Sequence, residues 1–402
     1  MNEFKKSRRK FLKNTSLSVL GAGLLGRSSH AMTDADKKEG PPKKLVYRTL
    51  GNTGIRVPVI GMGILAAGSP GLIRAAFDAG IMHFDSTAST FLQTRNEKMI
   101  GEVMKERPRD SFIYGTKIHL HQDSQTGLYD KELATEEEFT KKLDAALKNL
   151  QLEYVDIVYH HAVFRRESAF YEPVMNAMEK AKKAGKARFL GITTHSNVPE
   201  AVQAAADSNF YEVVMASYNP RQINRLQVKE AIANAAKAGL GVIAIKLIRG
   251  DVVRGGKPVN PVASIKWALQ DKNVHATIPG FSSFEEMNMD LSVMEDLTLT
   301  DAEMKDLNME DSYSGLFCQG CGQCLKQCPA GLPIPDLMRA YMYNYGYRQP
   351  TLAHSLLKSL EIQSKDCEDC SNCRVVCQNG WKVSEKICDI VRLRDVPEDF
   401  LV

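Results

Sequence analysis

Two stretches, CQGCGQCLKQCP and CEDCSNCRVVCQ, place Cys318, Cys321, Cys324 and Cys328 in one run and Cys367, Cys370, Cys373 and Cys377 in another. Both runs are spaced C-x2-C-x2-C-x3-C. Three thiolates at that spacing cap one face of a four-iron cube, and a more distant fourth reaches across. Zinc sites instead use paired CxxC knuckles. The expectation is two [4Fe-4S] clusters. In two-cluster proteins the fourth cysteine of each run serves the other cluster. That predicts the sets Cys318, Cys321, Cys324 with Cys377, and Cys367, Cys370, Cys373 with Cys328. If the clusters are independent, each run keeps its own fourth cysteine. The first run carries a proline after its last cysteine, and the second has Gln378 there. Cys388 is left over and is expected to be a buried thiol. No cysteine precedes Cys318, so a disulfide framework spread through the fold is not indicated.

A second set of reactive side chains lies far upstream. In HFDSTASTFLQTRNE an apolar run ends in Asp85 and a polar loop follows. Lys117, His161, His195, Asn219 and Lys246 likewise follow apolar runs. His119, His121, His160, His161 and His195 together with Asp85 could form a metal site of the His/carboxylate type; the alternative is a polar pocket for a sugar-like or acidic ligand.

The elements that must hold these residues alternate regularly. LVYRTLGNTGIRVPVIGMG has two short apolar runs around Gly51–Gly54, which reads as a hairpin. Strands are predicted at 57–62, 81–85, 112–117, 155–160, 188–193, 212–218, 241–246 and 276–279. Between them run amphipathic segments such as TEEEFTKKLDAALKNL and VKEAIANAAKAG. Strands that are apolar throughout suit burial on both faces under helices. Eight such units over roughly 250 residues predict an α/β fold of the (β/α)8 TIM-barrel type, whose active site lies at the C-terminal strand ends. A doubly wound open sheet is the runner-up, but no GxGxxG follows the first strand.

The segments YRTLGNTGIRV, FDS, YGTK, VDIVYHH, GKARFLGIT, SYNP, GVIAIK and IPGFSS, in this order over residues 45–308, resemble the aldo-keto reductases. The resemblance implies a catalytic set in which a tyrosine gives a proton to a carbonyl oxygen, with an aspartate, a lysine and a histidine around it. Asp85, Lys117 and His161 match the last three. The tyrosine position falls on Thr90, or on Phe91 after one insertion, and neither is a phenol. His161 or Tyr159 would then have to donate the proton. The resemblance also implies NADP. Its Ser-Asn pair becomes Thr193 and Thr194, its glutamine falls on Met215, and its aromatic stacker falls on Ile245 or Lys246. Ser282 and Ser283 remain, but the helix after them is acidic. The C-terminal part resembles the ferredoxin-like domain carried by some bacterial aldo-keto reductases. Between the cysteine runs, two helices broken near Gly346–Pro350 are expected.

At the N-terminus, SRRKFLK precedes a short apolar run and Ser29-His30-Ala31. This is the layout of a cleavable signal, and it resembles the twin-arginine type that exports folded proteins. It predicts handling by the twin-arginine translocase and a periplasmic location. The expected organisation is a signal at 1–31, a flexible leader at 32–43, the barrel at 44–308 and the two-cluster module at 309–402. With 402 residues, 44% hydrophobic content and a net charge of +4, the chain can bury a large core and has no basic stripe for nucleic acid. The functional expectation is an exported iron–sulfur oxidoreductase. It would act on a small carbonyl, alcohol or sugar-like substrate and pass electrons through two clusters to a redox partner protein. The alternatives are a lyase or isomerase with structural clusters, and an electron-transfer protein on a degenerate barrel.

Overall fold

The computed structural model describes residues 45–67, 69–87, 91–123, 126–222, 224–247, 260–307, 318, 320–360, 362, 367, 373–377 and 380–401. The signal and leader segments, Thr90 and Cys370 lie outside the described residues, as do the side chains of Phe91–Gln93.

The chain first forms the expected hairpin. β1 (Tyr47–Thr49) and β2 (Arg56–Pro58) pair antiparallel, with Thr49 opposite Arg56. The turn needs glycine at Gly51, whose φ is 53°. A β-carbon there would lie 2.4 Å from the Gly241 backbone nitrogen. Leu50, Ile55 and Val57 plug one end of the barrel, packing against Ile157, Val213 and Ile243 from its interior. The strand expected at 57–62 is therefore divided. Pro58 has no N–H with which to continue a ladder, and the chain starts the barrel only at β3 (Met62–Gly63).

Seven further strands follow: β4 (His83–Thr87), β5 (Ile113–Ile118), β6 (Val155–His160), β7 (Ala187–Thr194), β8 (Val213–Ser217), β9 (Gly241–Ile245) and β10 (Ala276–Thr277). Each is parallel to its neighbour, in chain order from β3 to β10. Ile60 bridges Thr277 in parallel. Thr277 N–H donates to Val59 O, and Gly61 N–H donates to Thr277 O, each at 2.8 Å. The sheet thus closes on itself as a (β/α)8 barrel rather than remaining open.

The intervening segments are helices: α1 (Pro70–Asp78), α2 (Phe91–Met104), α3 (Glu136–Leu150), α4 (Arg166–Ala169), α5 (Glu172–Lys183), α6 (Val198–Asp207), α7 (Arg225–Lys237), α8 (Pro261–Gln270), α9 (Phe284–Glu295) and α10 (Asp301–Leu307). Their starts follow ordinary capping chemistry. Ser69 accepts from Leu72 N–H ahead of Pro70, and Thr135 accepts from Glu138 N–H ahead of three glutamates. Each helix lays its apolar stripe on the outer faces of the strands, which are buried on both sides.

Beyond the barrel, α11 (Ile334–Tyr341), a π-helical turn at Met342–Gly346, α12 (Pro350–Ser359) and α13 (Val383–Ile390) build a second core. Leu337, Met338, Leu357 and Ile387 pack there with Cys324 and Cys367. The break between the two helices falls where Gly346 and Pro350 predict it. Lys44–Val402 form one compact unit. No helix among the described residues is long and apolar enough to cross a membrane.

Candidate active site

Asp85 on β4 and Lys117 on β5 meet at the C-terminal mouth of the barrel. The Lys117 ammonium donates to Asp85 Oδ2 and, at 3.1 Å, to Ser86 O. Both side chains are buried. Burial, with the positive charge of Lys246 beside it, holds Lys117 well below the usual lysine range; the Asp85 contact opposes that shift. Asp85 Oδ1 has no partner among the described residues, although it is buried. An unpartnered carboxylate oxygen at a cavity wall is available to a ligand hydroxyl.

His161 follows β6. Its Nδ1 lies 2.7 Å from Thr193 Oγ1, which also accepts the Ala162 N–H at 3.2 Å. The His119 and His195 rings stand edge-on to His161, with centroids 5.7 and 5.6 Å away. Burial holds all three imidazoles below the ordinary histidine range, His119 to about 4. For His161 and His195 the positive charges of Lys117, Lys246 and Arg339 add to the effect. A histidine held neutral is a poor proton donor at neutral pH.

Three sequence expectations are corrected here. His160 does not face the mouth: successive strand residues point to opposite faces. Its ring lies outside the barrel, between the Tyr129 and Tyr211 hydroxyls. His121 is half exposed and lies 3.8 Å from Asp130. Among the described residues no three His, Cys, Asp or Glu side chains converge on a metal ion. Tyr159 points inward, one pleat below His161. Its ring fills the space left by Gly115 and Gly191, where a β-carbon would come within 2.8 and 2.7 Å. Burial pushes its phenol further above the normal range, and it does not border the cavity, so it is no substitute proton donor.

Asp85, Lys117 and His161 open into a cavity of about 580 Å3. Met215, Ile245 and Ile278 give it an apolar floor. Its outer wall comes from the cysteine-bearing module: Arg339 on α11, Tyr343 on the π-helical turn, and Tyr347, Arg348 and Gln349 after it. Lys246 leaves β9 at φ 57° and sets its ammonium 5.6 Å from the centre of the Tyr343 ring. Sequence reasoning missed this wall. YMYNYGYRQ carries a run of aromatic and polar residues around a glycine, more than a helix packed only into a core needs, and that was the available signal.

Of the residues matched to a dinucleotide, Met215, Ile245, Lys246 and Ser282 line the cavity, whereas Thr193, Thr194 and Ser283 do not. Thr193 and Thr194 are fully buried. The Thr193 hydroxyl is engaged with His161, and the Thr194 hydroxyl donates to Ser196 O at 2.9 Å. Ser283 caps α9 by accepting from Glu286 N–H. Ser282 borders the cavity, but its N–H and hydroxyl both donate to the Glu286 carboxylate, at 2.7 and 2.9 Å. Asp290 lies buried beside them. The Glu286 carboxylate thus occupies both Ser282 donors that could meet a 2′-phosphate.

The thiols of the two runs lie on the same module, although among the described residues no three of them converge closely enough to hold a metal ion. Burial pushes the Cys324 thiol up to about 12, and Cys318, Cys321 and Cys377 add to the shift. Those three thiols are thus within electrostatic reach of Cys324. Gly320 N–H points at Cys318 Sγ, 3.3 Å away, and Val376 N–H ties the runs together by donating to Gln327 Oε1 at 2.7 Å. The donor type and the C-x2-C-x2-C-x3-C spacing are those of four-iron cubes. Cys388 is half-buried and donates to Cys367 O at 2.8 Å.

Comparison with known proteins agrees with both halves. Residues 70–261 match the Aldo/keto reductase family, and residues 317–381 match the 4Fe-4S dicluster domain. L-galactose dehydrogenase of Arabidopsis thaliana is 26% identical over 294 residues, covering 63% of this chain and 89% of its own. L-glyceraldehyde 3-phosphate reductase of Escherichia coli K12 is 24% identical over 325 residues, covering 66% and 92%. Among solved structures, aldo-keto reductase AKR11C1 from Bacillus halodurans aligns with a TM-score of 0.53 at 18% identity, over 65% of this chain and 95% of its own. The thermostable aldo-keto reductase Tm1743 gives 0.52 at 19%, over 65% and 98%. With the closed barrel and the buried Asp85–Lys117 pair, these matches point to an oxidoreductase in which residues 70–261 are similar to the Aldo/keto reductase family and residues 317–381 to the 4Fe-4S dicluster domain.

Proposed function

We propose that the cavity binds a small carbonyl, alcohol or sugar-like substrate and that its electrons travel through two [4Fe-4S] clusters instead of NADP. One observation carries this reading: a single cavity is bounded on one side by Asp85, Lys117 and His161 and on the other by the module that bears the cysteines. Cys318, Cys321 and Cys324 with Cys377 would hold the cluster nearer the barrel, and Cys367, Cys370 and Cys373 with Cys328 the other. Bound there, the clusters supply one-electron transfer.

The chain's own residues then have separable tasks. Oxidising an alcohol to a carbonyl breaks an O–H and a C–H bond: two electrons leave, one for each cluster, the oxygen-bound proton passes to Tyr343, and the carbon-bound hydrogen leaves as a proton to the neutral His161 imidazole at the cavity wall. Lys117 and Asp85 fix and polarise the substrate oxygen. His161, braced by Thr193, orients it. Tyr343 is the phenol that handles the oxygen-bound proton, with Lys246 over its ring and Arg339 within electrostatic reach. The apolar floor and the module wall exclude water, which strengthens each of these interactions.

The segment SRRKFLK supports export by the twin-arginine route to the periplasm, where a redox partner protein would exchange electrons with the clusters. Export fails as an idea if residues 1–43 fused to a folded reporter leave it in the cytoplasm. For the activity, anaerobic protein reconstituted with iron and sulfide is mixed with L-galactose and a one-electron acceptor such as ferricyanide, and in a separate reaction with NADP. Turnover with the acceptor and none with NADP is the expected result. Turnover only with NADP would sink the reading.

A further inference from the structure

We propose that the cavity recognises an oxyanion, a carboxylate or a phosphate, on its substrate, through Lys246, Arg339 and Arg348. The inference rests on the reading of the cavity as a substrate site and names the class of molecule it prefers: sugar acids or sugar phosphates, bound more tightly than neutral sugars.

The charges around the cavity carry the argument. Four cations border it, Lys117, Lys246, Arg339 and Arg348, against three acids, Asp85, Glu286 and Asp290. The acids offset these cations only in part, since Asp85 and Glu286 carry charge and Asp290 does not. Asp85 is spent on Lys117. Glu286 accepts from both donors of Ser282. Asp290 is held protonated by burial and by Glu286, its pKa raised to about 8. Arg339 has a counterion in Asp336 at 2.9 Å, but that acid does not border the cavity. The space is left electropositive, and the same cations help hold His161 and His195 neutral.

Backbone geometry points the same way. Lys246 and Arg348 are not glycines, yet both adopt left-handed φ, at 57° and 53°. One leaves a barrel strand and the other follows the π-helical turn, and both border the same cavity. For a residue with a β-carbon this conformation costs about 1–2 kcal/mol, and such residues cluster at ligand clamps. Cations aimed from opposite walls suit an anion that bridges barrel and module.

The test is equilibrium binding by calorimetry to the full-length, cluster-loaded protein under anaerobic conditions. The probes are L-galactonate, L-galactose 6-phosphate and L-galactose. At least one anionic probe should bind about tenfold or more tightly than the neutral sugar, and which one does separates carboxylate from phosphate. Arg348→Ala should remove that advantage and Arg348→Lys should restore part of it; Arg348 is exposed, so neither change threatens folding. Equal affinity for all three probes, no binding of either anion, or an anion preference that survives both Arg348→Ala and Lys246→Met would overturn the proposal. Arg348-dependent anion binding without turnover of any probe would instead overturn the redox reading and leave this one standing.

Discussion

Gly320 lies directly on the carbonyl of His195. A β-carbon at Gly320 would sit 2.8 Å from His195 O, and Asn197 N–H donates to Gly320 O at 3.3 Å. The first cysteine loop is therefore laid on the barrel loop that carries His195, one of the two histidines lining the cavity. Gly320 also has φ 66°. Gly320→Ala meets both constraints at once and should cost about 2–4 kcal/mol. The expected signs are a lower midpoint in denaturation and faster loss of iron to a chelator, with the barrel's far-ultraviolet circular dichroism kept. Unchanged chelation kinetics would mean that the loop does not need this seat.

Lys117→Met should lower turnover by about 10²-fold or more. It also leaves Asp85 buried without its cation, which should destabilise the fold by about 3–5 kcal/mol. Asp85→Asn combined with Lys117→Met should recover most of the stability and none of the turnover. Measuring both quantities on the single and double variants separates a chemical role from a structural one.

Tyr343→Phe removes one hydroxyl from the module wall. Turnover of L-galactose should fall by about 10²-fold while the cluster absorbance and the melting temperature stay at their original values. Tyr159→Phe is the control, since that phenol lies below the cavity, and it should turn over normally. The reverse pattern would return the proton transfer to Tyr159.

Cysteine substitutions distinguish crossed from independent ligand sets. With crossed sets, Cys377→Ser disturbs the cluster held by Cys318, Cys321 and Cys324, and Cys328→Ser disturbs the other one. Electron paramagnetic resonance of the reduced protein reads this, because the cluster beside His195 should also respond to substrate. If Cys328→Ser is the variant that alters the substrate-sensitive signal, the runs bind independently.

Stability should fall on acidification from pH 7. His83 is fully buried on β4, and neither ring nitrogen has a partner among the described residues. Burial holds its pKa to about 4. The unfolded chain takes up this proton near 6.5, before the folded one does. The contribution is therefore fully present above 6.5 and is lost as the pH falls towards 4. At pH 5 the loss is about 2 kcal/mol. His83→Met should flatten this arm in urea titrations at pH 7, 6 and 5; an unchanged slope would assign the acid loss to other groups.

The barrel was legible because its chemistry is local and repeated. Strands such as 155–160 and 241–245 are apolar throughout, and helices such as 136–150 begin with a cap and acids. Asp85, Lys117 and His161 could be picked out because strand ends form the mouth of such a barrel. The outward turn of His160 was not legible, since a shift of one residue swaps inside for outside, and nor was the depth of Tyr159, which faces inward but below the cavity. Ser282 read as a free donor because nothing local says that Glu286 folds back onto it. The module wall was hardest, because the seating of α11 and its π-helical turn on the mouth joins segments distant in the chain, Lys246 and Tyr343 being 97 residues apart.

The wall formed by Tyr343, Tyr347 and Arg348 also sets an order of maturation. These residues lie on the stretch between the two cysteine runs, and small cysteine-rich folds commonly take their folding energy from the metal they bind. The barrel can form from its own apolar core, whereas a module that drew its folding energy from its clusters would finish the chamber only after iron and inorganic sulfide were installed. Iron supply would then govern how many chains have a complete chamber, separately from how many chains are made.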